Sequence, residues 1–185
     1  MTLVFLLEEK SMKYFLDDFL PTILPEEVAF ITIPHEGKSD LKKSIPRKLK
    51  GWNIPNTKFV IVHDQDSNNC MALKQELTDL CIPYQKAILI RIACHELEAW
   101  YWGDIEALEQ AYGKDLSRLK HKNGYRIPDN IVSPKRELQK YIPEHQQIAG
   151  ARAMARHIDI KRNNSRSFHA FIDGVLKLCE EASDT

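Results

Sequence analysis

The pattern that most constrains the fold is a fourfold alternation of short apolar runs with segments of helical periodicity. The runs are typical of buried strands, because they are rich in β-branched and large apolar residues. They cover residues 2–7, 27–33, 58–63 and 86–93. Helical segments follow them, and this alternation predicts an α/β domain with a mainly parallel sheet of about four strands flanked by helices.

The second half of the chain has a different character. Residues 113–135 are polar and contain Gly, Asn and several Pro, which predicts a loop. Helical patterns then cover residues 134–141, 147–157 and 165–182. We therefore expect residues 1–112 to form the α/β core. Residues 113–185 would pack on it as a basic loop and a helical C-terminal extension, within a single domain overall.

Three local signals predict how individual helices begin or break. Ser11 is a residue that can cap the helix after the first strand, and Asp104 can cap a helix over residues 105–112. Pro46 lies within a basic helical segment and predicts either a kink or two short helices. The aromatic residues Trp100 and Trp102 lie near a predicted break at Gly103.

Charge is balanced over the whole chain, with 26 Lys and Arg against 26 Asp and Glu, but it is not spread evenly. Basic residues are in excess over residues 113–171. A second basic cluster lies in the otherwise acidic first half and consists of Lys38, Lys42, Lys43, Arg47, Lys48 and Lys50. Such asymmetry indicates a surface that meets a polyanion, although solvated helix faces would give the same pattern.

Composition also bears on location. No apolar run approaches the length of a membrane span, so we expect no membrane partner. The N-terminal apolar run lacks a basic flank and is followed by acids, which favours a first strand over a signal peptide. The four cysteines form no CxxC pair and are typical of reduced thiols in a cytoplasmic protein.

Acidic residues follow three of the four predicted strands directly. Glu8 follows the first, Asp64 and Asp66 the third, and Glu96 and Glu98 the fourth. Parallel strands place these ends at one edge of the sheet, where ligands bind in open α/β folds. Neighbouring carboxylates repel one another, and Mg²⁺ or Mn²⁺ removes that repulsion by accepting oxygen ligands. The sequence therefore predicts a divalent metal site at this edge.

Each of these acids also has a purely structural interpretation. Asp66 can cap the helix that follows it, and acids such as Glu96 and Glu98 are favoured at a helix start by the helix dipole. Glu96 and Glu98 are two residues apart and cannot share one helix face. We expect one of them to face the site and the other to face solvent.

A glutamate after one strand and a DxD motif after another is the arrangement of the Toprim domain. The segments LVFLLEE and FVIVHDQDS resemble that domain, and LLEEKSMKYFLDDFLP, IPHEGKSDL, RIACHELEAWYWGD and NNSRSFHAFIDGV resemble a Toprim-like bacterial family long classed as of unknown function. Members resembling it sit beside ABC-type ATPases in antiphage defence, and the nuclease effector of the PARIS system belongs to the wider group. The resemblance implies a Toprim-like, Rossmann-like fold.

The same resemblance implies a Mg²⁺- or Mn²⁺-dependent nuclease that cleaves RNA, tRNA included, or DNA, and that works with an ATPase. The Toprim glutamate falls on Glu8 and the two aspartates on Asp64 and Asp66. These three residues and Glu98 would bind the metal, and Glu8, Asp64, Asp66 and Glu96 would be catalytic. Glu9 is a departure, because family members commonly have Gly there, which lets backbone approach a phosphate. Glu9 is either a further ligand or a sign that the phosphate site differs.

Basic side chains are the candidates for contact with nucleic acid. They are Lys38, Arg91, Arg152, Arg156, Arg162 and Arg166. Lys38 also fits a plain surface lysine, and Arg91, inside the fourth strand, fits a buried ion pair. The aromatic residues near Gly103 can stack on bases, but we expect them to fill a core or a partner interface. If exposed, they would favour a homodimer.

Two other functions remain open on the sequence alone. The first is a non-catalytic Toprim-like binding or adaptor module, with Glu9 marking a site that has lost its activity. The second is a DxD phosphatase of the haloacid-dehalogenase type, since VIVHDQDS resembles that motif. Those phosphatases carry the motif on their first strand, whereas here it follows the third.

Overall fold

The sheet has four strands and all of its pairings are parallel. The computed structural model describes residues 1–180, with β1 (Thr2–Leu7), β2 (Ala29–Pro34), β3 (Thr57–Asp64) and β4 (Ile88–Ala93). The strand order is β2-β1-β3-β4, and Leu7 of β1 lies beside Val62 of β3. The predicted α/β class with a parallel sheet of four strands is confirmed.

Eight α-helices surround this sheet in the described part of the chain. They are α1 (Lys10–Phe19), α2 (Lys38–Gly51), α3 (Cys70–Cys81), α4 (Glu98–Trp102), α5 (Ile105–Tyr112), α6 (Pro134–Tyr141), α7 (Gln147–His157) and α8 (Arg166–Glu180). The predicted loop after α5 contains three short 3-10 turns, at Ser117–Leu119, Asn123–Tyr125 and Pro128–Asn130.

Both faces of the sheet are covered, which explains why its strands are apolar without interruption. Val4 and Leu6 of β1 pack with the buried residues of α2 and α3 on one face. Phe5 and Leu7, which alternate with them, pack on the other face with α1, α4, α5, α7 and α8. The result is a three-layer arrangement with β1 and β3 at its centre.

The C-terminal helices complete the larger of the two cores. Helix α7 packs against α1 and α5, and α8 packs against β4. The rings of Phe168 and Phe171 lie 5.4 and 5.1 Å from Trp100, and Phe171 lies 6.4 Å from Phe5. The first strand and the last helix therefore share one core.

Of the two helix caps predicted from the sequence, one is confirmed and the other is wrong. Asp104 caps α5, because its side chain accepts a 3.1 Å hydrogen bond from the Ala107 N–H, as predicted. The cap predicted at Ser11 is wrong: Glu9 occupies the cap position, and the Ser11 hydroxyl donates to the Glu9 carboxylate. Pro46 lies within the single helix α2, which continues past it.

The aromatic residues around Gly103 belong to the core. Trp100, Tyr101 and Trp102 are each at most 1% exposed. They therefore offer neither a stacking surface nor a patch for self-association. Among the helices of residues 1–180, none is both long and apolar enough to cross a membrane.

Candidate functional site

The strand order defines a crevice at the C-terminal edge of the sheet. From β1 the chain moves outward to β2, and then crosses back to place β3 on the other side of β1. The ends of β1 and β3 therefore border the point where the order reverses, which is where open α/β sheets bind ligands. Glu8 directly follows β1 and Asp64 ends β3, so these two acids flank the crevice.

Asp64 is the most perturbed acid of the site. It is 9% exposed, and its Oδ1 atom has no hydrogen-bond partner among the described residues. Burial raises the pKa of Asp64 well above its ordinary value, and the charges of Glu8, Glu9, Glu98 and Asp66 raise it further. These shifts show that four other carboxylates are close enough to act on Asp64.

Glu8 is held in place by two contacts with β3. Its Oε2 atom lies 2.9 Å from His63 Nδ1 and accepts a 3.1 Å hydrogen bond from the Asp64 N–H. Burial acts to raise the pKa of Glu8, but His63, the Asp64 N–H and Lys38 outweigh it and hold this pKa below its ordinary value. His63 is fully buried, so the orientation of Glu8 depends on a rigid neighbour.

Asp66 lies in a turn with an uncommon backbone conformation. Its φ angle is 51°, in the left-handed region that Asp tolerates better than most residues. The Asp66 N–H donates to the His95 carbonyl at 2.8 Å, and its Oδ2 atom lies 3.3 Å from Lys38 Nζ. The hydrogen bond to His95 ties the loop after β3 to the loop after β4, which brings Glu96 and Glu98 toward the crevice.

Glu96 and Glu98 are both withdrawn from solvent, so the prediction that one of them faces solvent is wrong. Glu98 is 3% exposed, and its Oε1 atom lies 3.6 Å from His145 Nε2. Glu96 is half-buried and accepts a 2.9 Å hydrogen bond from the Lys135 N–H. Burial raises the pKa of Glu96, the bond from Lys135 opposes this rise, and the charge of Glu98 adds to it.

Glu9 belongs to the same group of carboxylates. Burial raises its pKa, the Ser11 hydroxyl opposes that rise, and the charges of Glu98 and Glu8 add to it. We call the whole group the acid cluster, and its members are Glu8, Glu9, Asp64, Asp66, Glu96 and Glu98. Helix α1 begins directly after Glu9, and the positive end of its dipole stabilises the nearby carboxylates.

Two side chains that were not predicted to be members of the site lie against the acid cluster. The Tyr101 hydroxyl and His145 Nε2 are buried without a hydrogen-bond partner in the described part of the chain. His145 Nδ1 lies 2.6 Å from the Tyr112 hydroxyl, which fixes the ring beside Glu98. Buried polar atoms are normally paired, so unpartnered atoms beside several carboxylates indicate a site shaped for a further polar group.

The carboxylate oxygens of the acid cluster are of the type that binds a divalent cation, although they do not converge on a common point. Within residues 1–180, no three His, Cys, Asp or Glu side chains are positioned together to hold a metal ion. Glu8 is turned toward His63, and Asp66 toward Lys38. The acid cluster nevertheless supplies the carboxylate oxygens that Mg²⁺ prefers, and Oδ1 of Asp64 is buried and unpartnered.

Comparison with known proteins identifies the family to which the chain belongs. Residues 7–176 match the family described as Domain of unknown function (DUF4276). The chain belongs to this family. The match includes every member of the acid cluster and most of α8. No curated protein and no solved structure matches the chain.

The basic residues predicted to bind nucleic acid are scattered over the structure of this family member. Lys38 is the one of the six that contacts the acid cluster. Arg152 and Arg156 lie 3.5 and 4.0 Å from Asp18, on α1. Arg162 makes a two-pronged ion pair with Asp104, with a closest distance of 3.0 Å.

Arg91 and Arg166 are also away from the acid cluster. Arg91 Nε donates to the Ala170 carbonyl at 2.7 Å, so the guanidinium connects β4 to α8. Arg166 is exposed at the start of α8, where its backbone N–H donates to Asp129. Neither position brings a predicted nucleic-acid contact to the crevice.

Lys135 is a basic residue of the site that sequence reasoning missed. Its backbone N–H binds Glu96, and its charge lowers the pKa of Glu9 and of Glu96. Lys38 acts in the same way on Glu8 from the opposite half of the acid cluster. Two lysines therefore flank the cluster, one from α2 and one from α6. Lys135 is far from the acids in sequence, so no local pattern indicates this role.

Proposed function

We propose that this protein is a Mg²⁺- or Mn²⁺-dependent nuclease that cleaves phosphodiester bonds of RNA or DNA at the acid cluster. The observation that carries the proposal is the buried, unpartnered Asp64 oxygen, whose pKa four other carboxylates raise, at the reversal point of a parallel sheet. Such a concentration of negative charge is costly without a cation. Nucleases are one of the enzyme classes that widely use divalent ions held by carboxylates.

The residues that would hold the ion are Asp64, Glu8, Asp66 and Glu98. When bound, the ion polarises the scissile phosphate and lowers the pKa of the attacking water or RNA 2′-hydroxyl. His63 orients Glu8, and His145 packs against Glu98, so two ligands have rigid neighbours. Such neighbours fix the direction of a ligand and strengthen metal binding.

The remaining polar groups have roles in handling protons and substrate. Glu96 is half-buried and its burial raises its pKa, which favours a role in exchanging a proton with the substrate or with water. Lys38 and Lys135 carry positive charge on the two sides of the cluster and would hold phosphates of the substrate. Together they favour a phosphate-containing substrate over a neutral one.

The resemblance to Toprim-like defence proteins extends the proposal to its biological setting. We propose that the nuclease is an antiphage effector in the cytoplasm, with an ABC-type ATPase as partner and tRNA among its substrates. A homodimer also remains a proposal. The aromatic residues near Gly103 do not support it, because they are buried.

A cleavage assay tests the proposal directly. Purified protein is incubated with total tRNA and with plasmid DNA, in Mg²⁺ or Mn²⁺ and in EDTA. We expect cleavage with metal, none in EDTA, and a loss of at least about 100-fold in Asp64→Asn and Asp66→Asn. Asp79→Asn is the matched control, since Asp79 is an exposed acid on α3 outside the cluster. Equal activity of the Asp64 and Asp79 variants would contradict the proposal.

A non-catalytic binding module is the second candidate, and one observation favours it. Glu8 and Asp66 already have cationic or polar partners in His63 and Lys38, so the side chains form a consistent arrangement without metal. This candidate predicts nucleic-acid binding that persists in EDTA, with no Mn²⁺ binding by calorimetry and no cleavage. Hydrolysis of a small phosphate monoester, in contrast, would identify a phosphatase.

A further inference from the structure

Helix α2 carries a concentration of positive charge that the proposed chemistry does not use. The helix has six basic residues and one acidic residue. Lys38 pairs with Asp66 of the acid cluster, and Lys42 lies 2.8 Å from Glu76 on α3. The four others, Lys43, Arg47, Lys48 and Lys50, form no ion pair with any described residue.

Three of these residues form a stripe along one side of the helix. Lys43, Arg47 and Lys50 are four and three residues apart, which places them on the same helix face. All three are exposed, and Arg47 Nε donates to the Lys43 carbonyl at 3.2 Å. Leu41, Ile45 and Leu49 are buried against the sheet, so the orientation of the helix is fixed.

The direction of α2 connects this stripe to the acid cluster. Lys38, at its first turn, contacts Asp66, and the helix then runs away from the C-terminal edge of the sheet. From Lys38 to Lys50 the helix rises about 18 Å, which corresponds to roughly five nucleotides of one strand. The stripe thus begins between one and two helical turns beyond Lys38, on a different side of α2, so a substrate would pass around the helix to reach it from the proposed site of cleavage.

We propose that the stripe formed by Lys43, Arg47 and Lys50 binds the sugar–phosphate backbone of a polynucleotide substrate beyond the bond that is cleaved. This inference rests on the proposed function and deepens it, because it makes the substrate a nucleic-acid chain and not a single nucleotide. Unpaired basic residues in a row bind a backbone without reading its sequence, and their contribution falls as salt rises.

Other surfaces and other partners fit the structure less well. Arg152, Arg156 and Arg162 have carboxylate partners, so binding a phosphate there would require an existing contact to be given up. A membrane surface would need exposed apolar side chains on α2 to insert, whereas its large apolar residues Leu41, Ile45 and Leu49 are buried. A nucleic-acid backbone matches both the charge and the polar character of the stripe.

Binding of a labelled oligonucleotide, measured by fluorescence anisotropy in EDTA, tests this surface without relying on cleavage. The probes are single-stranded RNA and DNA of about 15 nucleotides, long enough to cover the roughly five nucleotides that the distance from Lys38 to Lys50 spans. The test variant is K43Q/R47Q/K50Q, and the matched control is R152Q/R156Q. We expect at least about tenfold weaker binding at 0.1 M salt for the test variant, and a salt slope smaller by about 2. The control should bind within about twofold of the unchanged protein.

Several results would overturn the inference. They are unchanged binding by the stripe variant, weaker binding by the control instead, or absence of oligonucleotide binding by the unchanged protein. Binding of polyglutamate as tightly as of the oligonucleotide would indicate an acidic protein partner. If the triple variant loses its thermal transition, R47Q alone is compared with R152Q. Stripe-dependent binding without any cleavage would support this surface while contradicting the nuclease proposal.

Discussion

At the scale of single residues, the acid cluster contains buried carboxyl groups that repel one another. Their burial lowers the stability of the fold, and a bound cation would offset this repulsion. Asp64 is buried with an unpartnered oxygen, and four other carboxylates raise its pKa. A residue in this position destabilises the fold unless something compensates its charge. Sites that bind ligands commonly contain such residues, at a cost in stability.

The first prediction concerns Asp64→Asn. Because asparagine does not ionise, the change removes the cost of burying this carboxyl group among other acids, and at neutral pH we expect it to raise the free energy of unfolding in EDTA by about 1 kcal/mol or more. The same change should abolish any stabilisation of the protein by Mg²⁺ or Mn²⁺. Thermal denaturation of both proteins, with metal and with EDTA, measures the two effects. A variant that is less stable in EDTA and still stabilised by metal would contradict the assignment of Asp64.

The second prediction concerns Gly150, on α7. A Cβ atom there would overlap the His145 ring and the Tyr112 hydroxyl, which are the groups that lie behind Glu98. Gly150→Ala should therefore cost about 1–3 kcal/mol of stability and weaken Mn²⁺ binding. Gly124→Ala is the control, since nothing lies within 4 Å of its added atom. Urea denaturation and calorimetry provide the readouts, and equal stability of the two variants would disprove this packing.

Some of the candidate site followed from local sequence and some did not. Glu8, Asp64 and Asp66 were predictable because each lies at the end of a strand or within two residues of it, and parallel strands end at one edge. His145 and Lys135 were not predictable, because they reach the site from the segment before α7 and from α6, whose placement depends on long-range packing. Arg162 looked available for RNA, yet Asp104 engages it, and no local pattern indicates that pair.

At the scale of elements, the best example of long-range support is the start of α8. The Asp129 carboxylate accepts hydrogen bonds from the Arg166 N–H at 2.6 Å and from the Ser167 hydroxyl at 2.6 Å. Ser165 Oγ accepts from the Phe168 N–H at 3.2 Å, as a helix cap does. A residue from the polar loop thus fixes the first turn of the last helix.

The third prediction is that Asp129→Ala destabilises the protein by about 2 kcal/mol, because it removes several hydrogen bonds to the helix start. Asp173→Ala is the control, since Asp173 is exposed on the same helix. Urea denaturation measures both. A loss of less than about 0.5 kcal/mol in the Asp129 variant would show that α8 does not need this cap.

The elements themselves were largely predictable, and the exceptions have physical causes. The segment 147–157 forms a helix over those residues, because its small and apolar residues repeat at helical spacing. Pro46 was expected either to kink α2 or to divide it into two short helices. The helix is undivided, and the buried residues Leu41 and Ile45 precede Pro46 while the buried Leu49 follows it. Packing of that face outweighs the missing backbone hydrogen bond.

At the scale of the whole molecule, the two halves of the chain depend on one another. Phe168 and Phe171 of α8 fill the core on the face of the sheet that also contains Phe5 and Trp100. Without them this face would be open to water. Burial of large aromatic side chains contributes several kcal/mol to a fold of this size.

The fourth prediction is that a fragment of residues 1–112 does not fold by itself. We expect far-ultraviolet circular dichroism without a cooperative thermal transition, together with binding of a hydrophobic dye, because the larger core loses α7 and α8. Addition of a separately made 113–185 fragment should restore the transition. A cooperative transition in the short fragment alone would show that the α/β part is independent.

The contact between Phe5 and Phe171 has a consequence for how the chain is made. A ribosome delivers all four strands before α8, so one face of the sheet stays uncovered until α8 has been made. Contacts between distant parts of a chain also slow folding, since a long loop must close before they form. The nascent protein therefore exposes the aromatic face of its sheet until α8 has been made, and we expect chaperones that bind exposed apolar surface to shield it during that time.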